Sequence, residues 1–288
     1  MKYKFIINPK FGKEPTDIKI ETIRKEFAGN DVEIYLTHDR KSTIEEIALS
    51  DADVVVSVGG DGTLNEVVNG IMRMKKRPLL GAIPFGTTNV FANEMGIPWD
   101  TAEACKRILR NQPKKVDIGL VNDEYYFFMW SSLGIDAKIS KEVEATKENK
   151  KYFRGLIFVY YGLKEILNYY NPPKLSIELD SGYKGLGNFV IISNGSHYAG
   201  KYVLTPDGSL SDGFFHVFIF RNSNPFMMAK HFLGIFTGKH MNFREVVYKK
   251  AKKVDITFSR PVWMHIDSEP FKALRYEAKI LPSVVDFL

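Results

Sequence analysis

The run Val54-Val55-Val56-Ser57-Val58-Gly59-Gly60-Asp61-Gly62-Thr63-Leu64-Asn65-Glu66 constrains this chain more than any other stretch. Its β-branched, apolar opening predicts a buried strand, and three glycines with one aspartate predict a tight turn. Beyond the turn Leu64, Val67, Val68 and Ile71 recur at the spacing of one buried helix face. Strand, glycine turn and helix together aim backbone N–H groups and the positive end of a helix at a phosphate. Glycine is expected there both for φ > 0 and for close approach of a ligand. An ordinary βα turn is the alternative, yet Gly-Gly-Asp-Gly-Thr arises by chance only on the order of 10⁻⁶ per window. The stretch is not a P-loop, because Lys-Ser/Thr is absent. Nor is it a dinucleotide fingerprint, because Asn65 stands where the third glycine belongs.

The flanking sequence repeats the theme. Residues 3–7, 32–36 and 79–83 read as further strands, with helices expected at 18–27, 42–49 and 90–95. Such alternation implies βαβ units and a parallel sheet, whose ligands bind beyond the carboxyl ends of the strands. Asn8, Thr37, Gly60 and Thr87 each follow a predicted strand and should gather at that edge. The pattern changes near Pro113. Residues 126–130, 175–179, 189–193, 214–220, 254–258 and 262–266 read as strands joined mostly by turns, with helices at 152–169 and 226–236. The expected fold is therefore a Rossmann-like α/β N-terminal domain (1–115) followed by an antiparallel β-sandwich-like domain (116–278). Residues 279–288 are expected to pack back onto the first domain. The densely charged stretch Lys141 to Lys151 reads as a solvated, mobile segment.

A length of 288 residues accommodates two domains, and a net charge of +6 favours anionic partners such as nucleotides or phospholipid headgroups. Cys105 is the only cysteine, so no disulfide can form within the chain. The histidines at 38, 197, 216, 231, 240 and 265 show no zinc spacing, and no Gly-x-Ser-x-Gly elbow is present. No basic stripe interleaved with aromatics suggests nucleic acid. No apolar run is long enough to span a bilayer, so a cytoplasmic chain acting at the membrane periphery is expected.

Val58-Gly59-Gly60-Asp61-Gly62-Thr63-Leu64-Asn65-Glu66 together with Gly86-Thr87-Thr88-Asn89 resembles the diacylglycerol kinase catalytic domain family, soluble lipid kinases related to sphingosine kinases and NAD kinases. Asn8-Pro9-Lys10-Phe11-Gly12-Lys13 looks like the family's first loop, and Gly134-Ile135-Asp136-Ala137 like a further motif. Asn194-Gly195, Tyr198-Ala199-Gly200 and Leu210-Ser211-Asp212-Gly213 match its second-domain pattern. His265-Ile266-Asp267-Ser268-Glu269-Pro270 looks like its Asp-Gly-Glu. The resemblance implies an active site between the two domains and ATP- and Mg²⁺-dependent phosphorylation of a lipid alcohol, diacylglycerol first. It also implies transient association with an anionic membrane surface; a homodimer is compatible with it. An NAD kinase-like phosphotransferase and a non-catalytic nucleotide-binding module are the alternatives.

By this resemblance ATP contacts Asn8, Pro9, Lys10, Phe11, Gly12, Thr37, Gly59, Gly60, Asp61, Gly62, Thr63, Leu64, Asn65 and Thr87. Thr63 can cap the helix or add a hydroxyl donor. Asp61 is assigned to the catalytic metal, because a carboxylate among phosphates is unfavourable without an intervening cation; bracing the turn is the alternative. Glu269 is the candidate general base, with Asp267 orienting it or helping to hold the metal. On one strand the two would share a face, whereas Asp-Ser-Glu-Pro also suits a surface turn. Asp212, with the carbonyls of Ser209 and Phe214, matches a second, structural metal position, and a plain Asp-Gly turn is the alternative there. Val90 stands where the family carries an acid after Asn89. Ser268 replaces the glycine of Asp-Gly-Glu and would be strained at φ > 0.

Overall fold

In a computed structural model of the chain, the described residues are 1–10, 15–86, 88–145, 161–162, 164–165, 167, 172–198, 202–222, 224–267 and 269–288. The first half alternates as its periodicities require. Strands β1 (Lys2–Ile7), β2 (Asp31–Leu36), β3 (Val54–Gly59) and β4 (Leu79–Pro84) lie parallel in the order β2-β1-β3-β4. Helices α1 (Thr16–Glu26), α2 (Arg40–Ala48), α3 (Asp61–Ile71), α4 (Val90–Met95) and α5 (Thr101–Leu109) connect and cover them. All six residues of β3 are buried, as a central parallel strand covered on both faces must be.

Further along, β5 (Lys114–Val121), β6 (Tyr125–Phe127), β7 (Trp130–Leu133), β8 (Leu175–Leu179), β9 (Lys184–Gly187) and β10 (Phe189–Ser193) follow, with α6 (Ile135–Ala145) after β7. Next come the short hairpin β11 (His197–Tyr198) and β12 (Tyr202–Val203), then β13 (Phe215–Phe220) and α7 (Pro225–Phe236). The chain closes with β14 (Val246–Ala251), β15 (Lys253–Thr257), β16 (Val262–Ile266), β17 (Glu269–Ala273) and β18 (Tyr276–Phe287). One antiparallel sheet has the order β14-β13-β10-β7-β16-β17. Facing it are β15, β8 and β9, and the core between the layers takes Ile177 and Ile256 from one sheet and Val190, Val217 and Met264 from the other. This is an α/β domain with a mostly parallel sheet followed by an antiparallel sandwich.

The last strand joins the halves. β18 pairs antiparallel with β15 and β5, and its end runs parallel to β4, with Phe287 opposite Leu80. One ten-stranded sheet therefore runs from the first half into one layer of the sandwich. The boundary expected at 115/116 falls inside β5, which pairs with β18 on both sides of it.

Several expectations change in detail. The single strand at 126–130 is two, β6 and β7, because the N–H groups of Phe128, Met129 and Trp130 turn to a carboxylate instead of a neighbouring strand. Lys141 to Ala145 are not loose but form the last turns of α6, and Lys141 Nζ lies 4.7 Å from the centre of the Trp263 ring. Residues 146–151 lie outside the described residues, as does most of the helix expected at 152–169. Tyr161, Gly162, Lys164, Glu165 and Leu167 are helical.

Phe287 is 1 % exposed and meets Phe91 of α4 edge to face at 4.9 Å. Phe287→Ala should cost ~3–5 kcal/mol, lowering the melting temperature by about 2–4 °C per kcal/mol. A urea titration followed by tryptophan fluorescence and circular dichroism checks this.

Candidate active site

The first-half loops converge as parallel order demands. Asn8 N–H donates to the Val58 carbonyl at 3.0 Å and Thr37 N–H to the Ile7 carbonyl at 2.9 Å, placing both at the ends of adjacent strands. Phe85 N–H donates to the Gly59 carbonyl at 2.8 Å, so the loop after β4 lies against the glycine turn. A Cβ on Gly60 would come within 3.2 Å of Gly86 Cα, and one on Gly86 within 2.7 Å of Gly60 Cα and 2.4 Å of Asn89 Oδ1. The Asn89 amide closes that second loop, accepting from Gly86 N–H and donating to the Gly86 carbonyl, both at 2.9 Å. Two backbones thus touch where phosphates would approach. Phe11, Gly12 and Thr87 lie outside the described residues.

The reason for glycine differs from the one expected. None of Gly59, Gly60 and Gly62 has φ > 0. The turn is tighter than the sequence suggested: β3 runs through Gly59 and α3 begins at Asp61, with Gly60 as N-cap at φ −97°. A Cβ on Gly59 would meet Thr63 Oγ1 at 2.4 Å, so close packing is what demands glycine. Thr63 is the third residue of α3 and does not cap it; its hydroxyl is buried without a hydrogen-bond partner.

Asp61 accepts Val90 N–H on Oδ2 at 3.0 Å and Phe91 N–H on Oδ1 at 3.2 Å, which ties the start of α3 to the start of α4. Burial pushes its carboxyl above the ordinary range, and the two N–H groups pull the other way. The carboxylate has no cationic side chain as partner among the described residues, and each oxygen keeps a lone pair. That donor set fits Mg²⁺, which takes one or two carboxylates and completes its shell with phosphate oxygens and water.

Asp267 is not aimed into an open cleft. It adopts φ +47° and is 4 % exposed. Its Oδ2 accepts Asn65 Nδ2 at 2.8 Å and Phe128 N–H at 3.0 Å, while Oδ1 accepts Met129 and Trp130 N–H at 3.0 and 3.2 Å. A positive φ falls on Asp267, which an aspartate tolerates better than most residues; Ser268 lies outside the described residues. Residues 267 and 269 are separated by the β16–β17 turn, so a shared strand face does not apply. Asp267 therefore joins α3 to the sandwich, and burial pushes its carboxyl up to about 7 against those four donors.

Glu269, 40 % exposed at the start of β17, faces Arg40 NH1 at 3.9 Å. Arg40 opens α2, three residues beyond Thr37, and donates through NH2 to Asn65 Oδ1 at 2.8 Å. Its NH1 is buried without a hydrogen-bond partner, as is Glu66 Oε2. Asn65, fully buried on α3, links this cluster to Asp267 and, with Asn69, to the Tyr126 carbonyl. Sequence reasoning missed Arg40 and Glu66, although Glu66 directly follows Asn65. It also missed Glu94 of α4, whose carboxylate accepts Ser196 N–H, His197 N–H and the Ser196 hydroxyl and meets His197 Nδ1 at 2.6 Å. This second tie between the halves had no local signal.

Asp212 does not fit the structural metal position inferred from the resemblance. Its Oδ2 meets His216 Nε2 at 3.1 Å and Lys250 Nζ at 3.2 Å, and its Oδ1 accepts Phe214 N–H at 3.0 Å. The Ser209 carbonyl accepts Asp212 N–H at 3.4 Å. A cation at Oδ2 would have to displace the Lys250 ammonium. Asp117 holds the same loop from inside, accepting Gly213 N–H at 2.7 Å and Ser283 N–H at 2.7 Å.

The architecture defines a class: a two-domain protein whose α/β half presents phosphate-type loops to an antiparallel sandwich across a line of carboxylates. The profile of the diacylglycerol kinase catalytic domain matches residues 2–121, and that of the YegS C-terminal NAD kinase beta sandwich-like domain matches residues 130–288. A diacylglycerol kinase of Bacillus subtilis (strain 168) is 29% identical over 273 residues, covering 92% of this chain and 89% of the relative. One of Staphylococcus aureus (strain JH9) is 31% identical over 272 residues, covering 92% and 85%. The crystal structure of a diacylglycerol kinase from Bacillus anthracis str. Sterne superposes with a TM-score of 0.75 at 22% identity over 99% of this chain and 96% of that one, which is a likeness of fold. The chain belongs to the diacylglycerol kinase catalytic domain family, a family of lipid kinases.

Two predictions follow from the carboxylates. Burial pushes Glu66 up to about 7 from 4.5, with Glu269 and Asp39 adding to the rise and Arg40 opposing it. A raised carboxyl favours the folded state fully below about pH 4.5 and loses that contribution as pH climbs through about 7. Glu66→Gln should therefore melt above wild type at pH 8, by roughly 2–4 °C for ~1 kcal/mol after discounting for solvent screening. At pH 4 the gain should vanish; differential scanning fluorimetry across pH reads both. At Asp212, added Mg²⁺ without nucleotide should leave the wild-type melting temperature where EDTA leaves it. Lys250→Met should lose about 1 kcal/mol or less and acquire a Mg²⁺-dependent melt.

Proposed function

We propose that this chain is an ATP- and Mg²⁺-dependent lipid kinase that transfers the γ-phosphoryl group to a lipid hydroxyl, with diacylglycerol the first acceptor to test. The observation that carries this reading is the position of Glu269. It is a half-exposed carboxylate on the sandwich, held beside Arg40, which hydrogen-bonds to the same helix α3 that begins at the glycine turn.

Phosphoryl transfer asks a protein to align two oxygens and neutralise charge on the moving group. The N–H groups opening α3, with the loops at Asn8, Thr37 and Gly86–Asn89, suit the ATP phosphates. Asp61 would hold Mg²⁺, which when bound supplies charge neutralisation at the phosphate oxygens. Glu269 accepts the proton of the attacking hydroxyl. Asp267 acts as a positioning residue: it fixes the turn carrying Glu269 against Asn65 and the 128–130 amides. Arg40 lies against Glu269 and Asn65, and keeps the base oriented.

The test is transfer of label from [γ-³²P]ATP into organic-extractable product across diacylglycerols, sphingoid bases and other long-chain alcohols. Glu269→Gln should keep ATP affinity and lose about 10²–10⁴ in kcat. Failure to label any lipid sinks the reading. NADP⁺ formation would replace it with the NAD kinase-like one, and ATP binding unchanged by the mutation with no turnover would indicate a regulatory module.

A further inference from the structure

Arg40 has more capacity than the orientation of a neighbour uses. Its NH2 donates to Asn65 Oδ1 at 2.8 Å, whereas NH1 is buried and has no hydrogen-bond partner. NH1 lies 3.9 Å from Glu269 Oε1, which is an ion pair but too long for a hydrogen bond. A guanidinium holds its N–H groups in a fixed fork that matches phosphate oxygens. The Arg40 side chain is 34 % exposed, so the group is anchored at one tip and reachable from outside. Among the described residues no other cationic side chain pairs with Glu269.

The anchor itself is stiff. Asn65 is fully buried, and its Oδ1 also accepts Asn69 Nδ2 at 3.0 Å. Its own Nδ2 donates to Asp267 and to the Tyr126 carbonyl. Asp39 caps α2 by accepting Ser42 N–H at 3.0 Å, which fixes the backbone that carries Arg40. A guanidinium held in this way loses little freedom when an anion arrives. Glu269 is the looser partner. It is 40 % exposed, belongs to the sandwich and makes no hydrogen bond to Arg40, which belongs to the α/β half.

We propose that Arg40 is a further catalytic residue: its NH1 leaves Glu269 as the acceptor alcohol enters and hydrogen-bonds a non-bridging oxygen of the phosphoryl group in transit. The role rests on the lipid-kinase reading, which it deepens. The Arg40–Glu269 contact spans the line between the donor loops and the base, and the phosphoryl group has to cross that line. In the transfer, the bond from the γ-phosphorus to its bridging oxygen breaks and leaves its electron pair on ADP. A new bond forms from the acceptor oxygen to phosphorus, and the hydroxyl proton passes to a Glu269 oxygen. Negative charge on the moving group then meets the fields of Glu269 and Glu66, which already act on one another. Arg40 offsets that repulsion with a charge that is in place before the reaction begins. Orienting Glu269 alone would leave both protons of NH1 without an acceptor.

Arg40→Met and Arg40→Lys test this in the full chain with ATP, Mg²⁺ and diacylglycerol in mixed micelles. Arg40→Met should keep the KM for ATP within about threefold and lose on the order of 10²–10³ in kcat. Arg40→Lys should recover only part of the loss, because an ammonium cannot make the fork. A role confined to Glu269 has another signature: the acid limb of the kcat–pH profile shifts, and the loss disappears at high pH. Binding gives a readout without turnover. ADP with Mg²⁺ and aluminium fluoride, a mimic of the phosphoryl group in flight, should raise the wild-type melting temperature above that with ADP and Mg²⁺ alone. Arg40→Met should lose that increment and keep the shift given by ADP. A kcat within about threefold of wild type, or a loss that high pH repairs, overturns the inference and leaves the kinase reading standing. So does an undiminished aluminium fluoride increment in Arg40→Met. Wild type that labels no lipid yet shows an increment dependent on Arg40 retains the guanidinium's role and discards the lipid acceptor. Wild type with neither labelled lipid nor increment overturns both.

Discussion

The structure depends most on one buried carboxylate. Asp267 collects four hydrogen bonds from two parts of the chain far apart in sequence: the amide of Asn65 on α3 and three successive N–H groups at the break between β6 and β7. Those three amides face no neighbouring strand, and leaving them unpaired in the interior would cost about 1–3 kcal/mol each. Satisfying them fixes the break, and the break sets the direction in which β7 enters the sandwich. The same carboxylate sets the β16–β17 turn, so Glu269 is placed relative to α3 by a chain of short hydrogen bonds. Geometry at the site and folding of the junction are the same interaction.

The other buried acids follow this logic. Asp61, Asp117 and Glu94 each accept two or more backbone N–H groups from a segment far away in sequence. Backbone donors are a rigid form of charge compensation: they satisfy a carboxylate without a flexible partner and fix the segment that carries them. The halves are thereby stitched at Glu94 and Asp267 as well as through the shared strand β18. Large opening between them would have to break charged hydrogen bonds.

How much of this was legible depended on range. The parallel pairing of β1–β4 and the gathering of Asn8, Thr37 and Gly60 follow from local periodicity and from the geometry of parallel sheets, and the structure reproduces them; the strand order was not legible. The need for glycine at 59 and 60 was legible, but its cause was not. Whether a missing Cβ serves φ or packing depends on Thr63 and Gly86, and the latter lies in another loop. The pairing of β18 with β4 brings together residues 287 and 80, and Glu94 meets His197 across 103 positions. No periodicity encodes such pairings. Asp212 shows the opposite limit: its motif was readable, but His216 and Lys250, which both occupy its Oδ2, sit on β13 and β14 and carry no motif.

On the proposed reading, the contrast among these acids separates fasteners from reactive groups. Among the carboxylates near the junction, those held by several backbone donors serve as fasteners, because their oxygens are already committed to the chain they hold. Asp61 is intermediate, with two donors and room for a cation. Glu269 and Glu66 are different. Glu269 is half exposed beside a guanidinium at 3.9 Å, and Glu66 keeps a buried oxygen unpaired. Arg40 NH1, in that ion pair, likewise has no hydrogen-bond partner. Unpaired polar groups inside a protein are unfavourable, and here they cluster where the α/β half meets the first residue of β17. A bound phosphate and hydroxyl would supply the missing partners. On the proposed function, the capacity left unused by the fold lies where an acceptor alcohol and a phosphoryl group would meet.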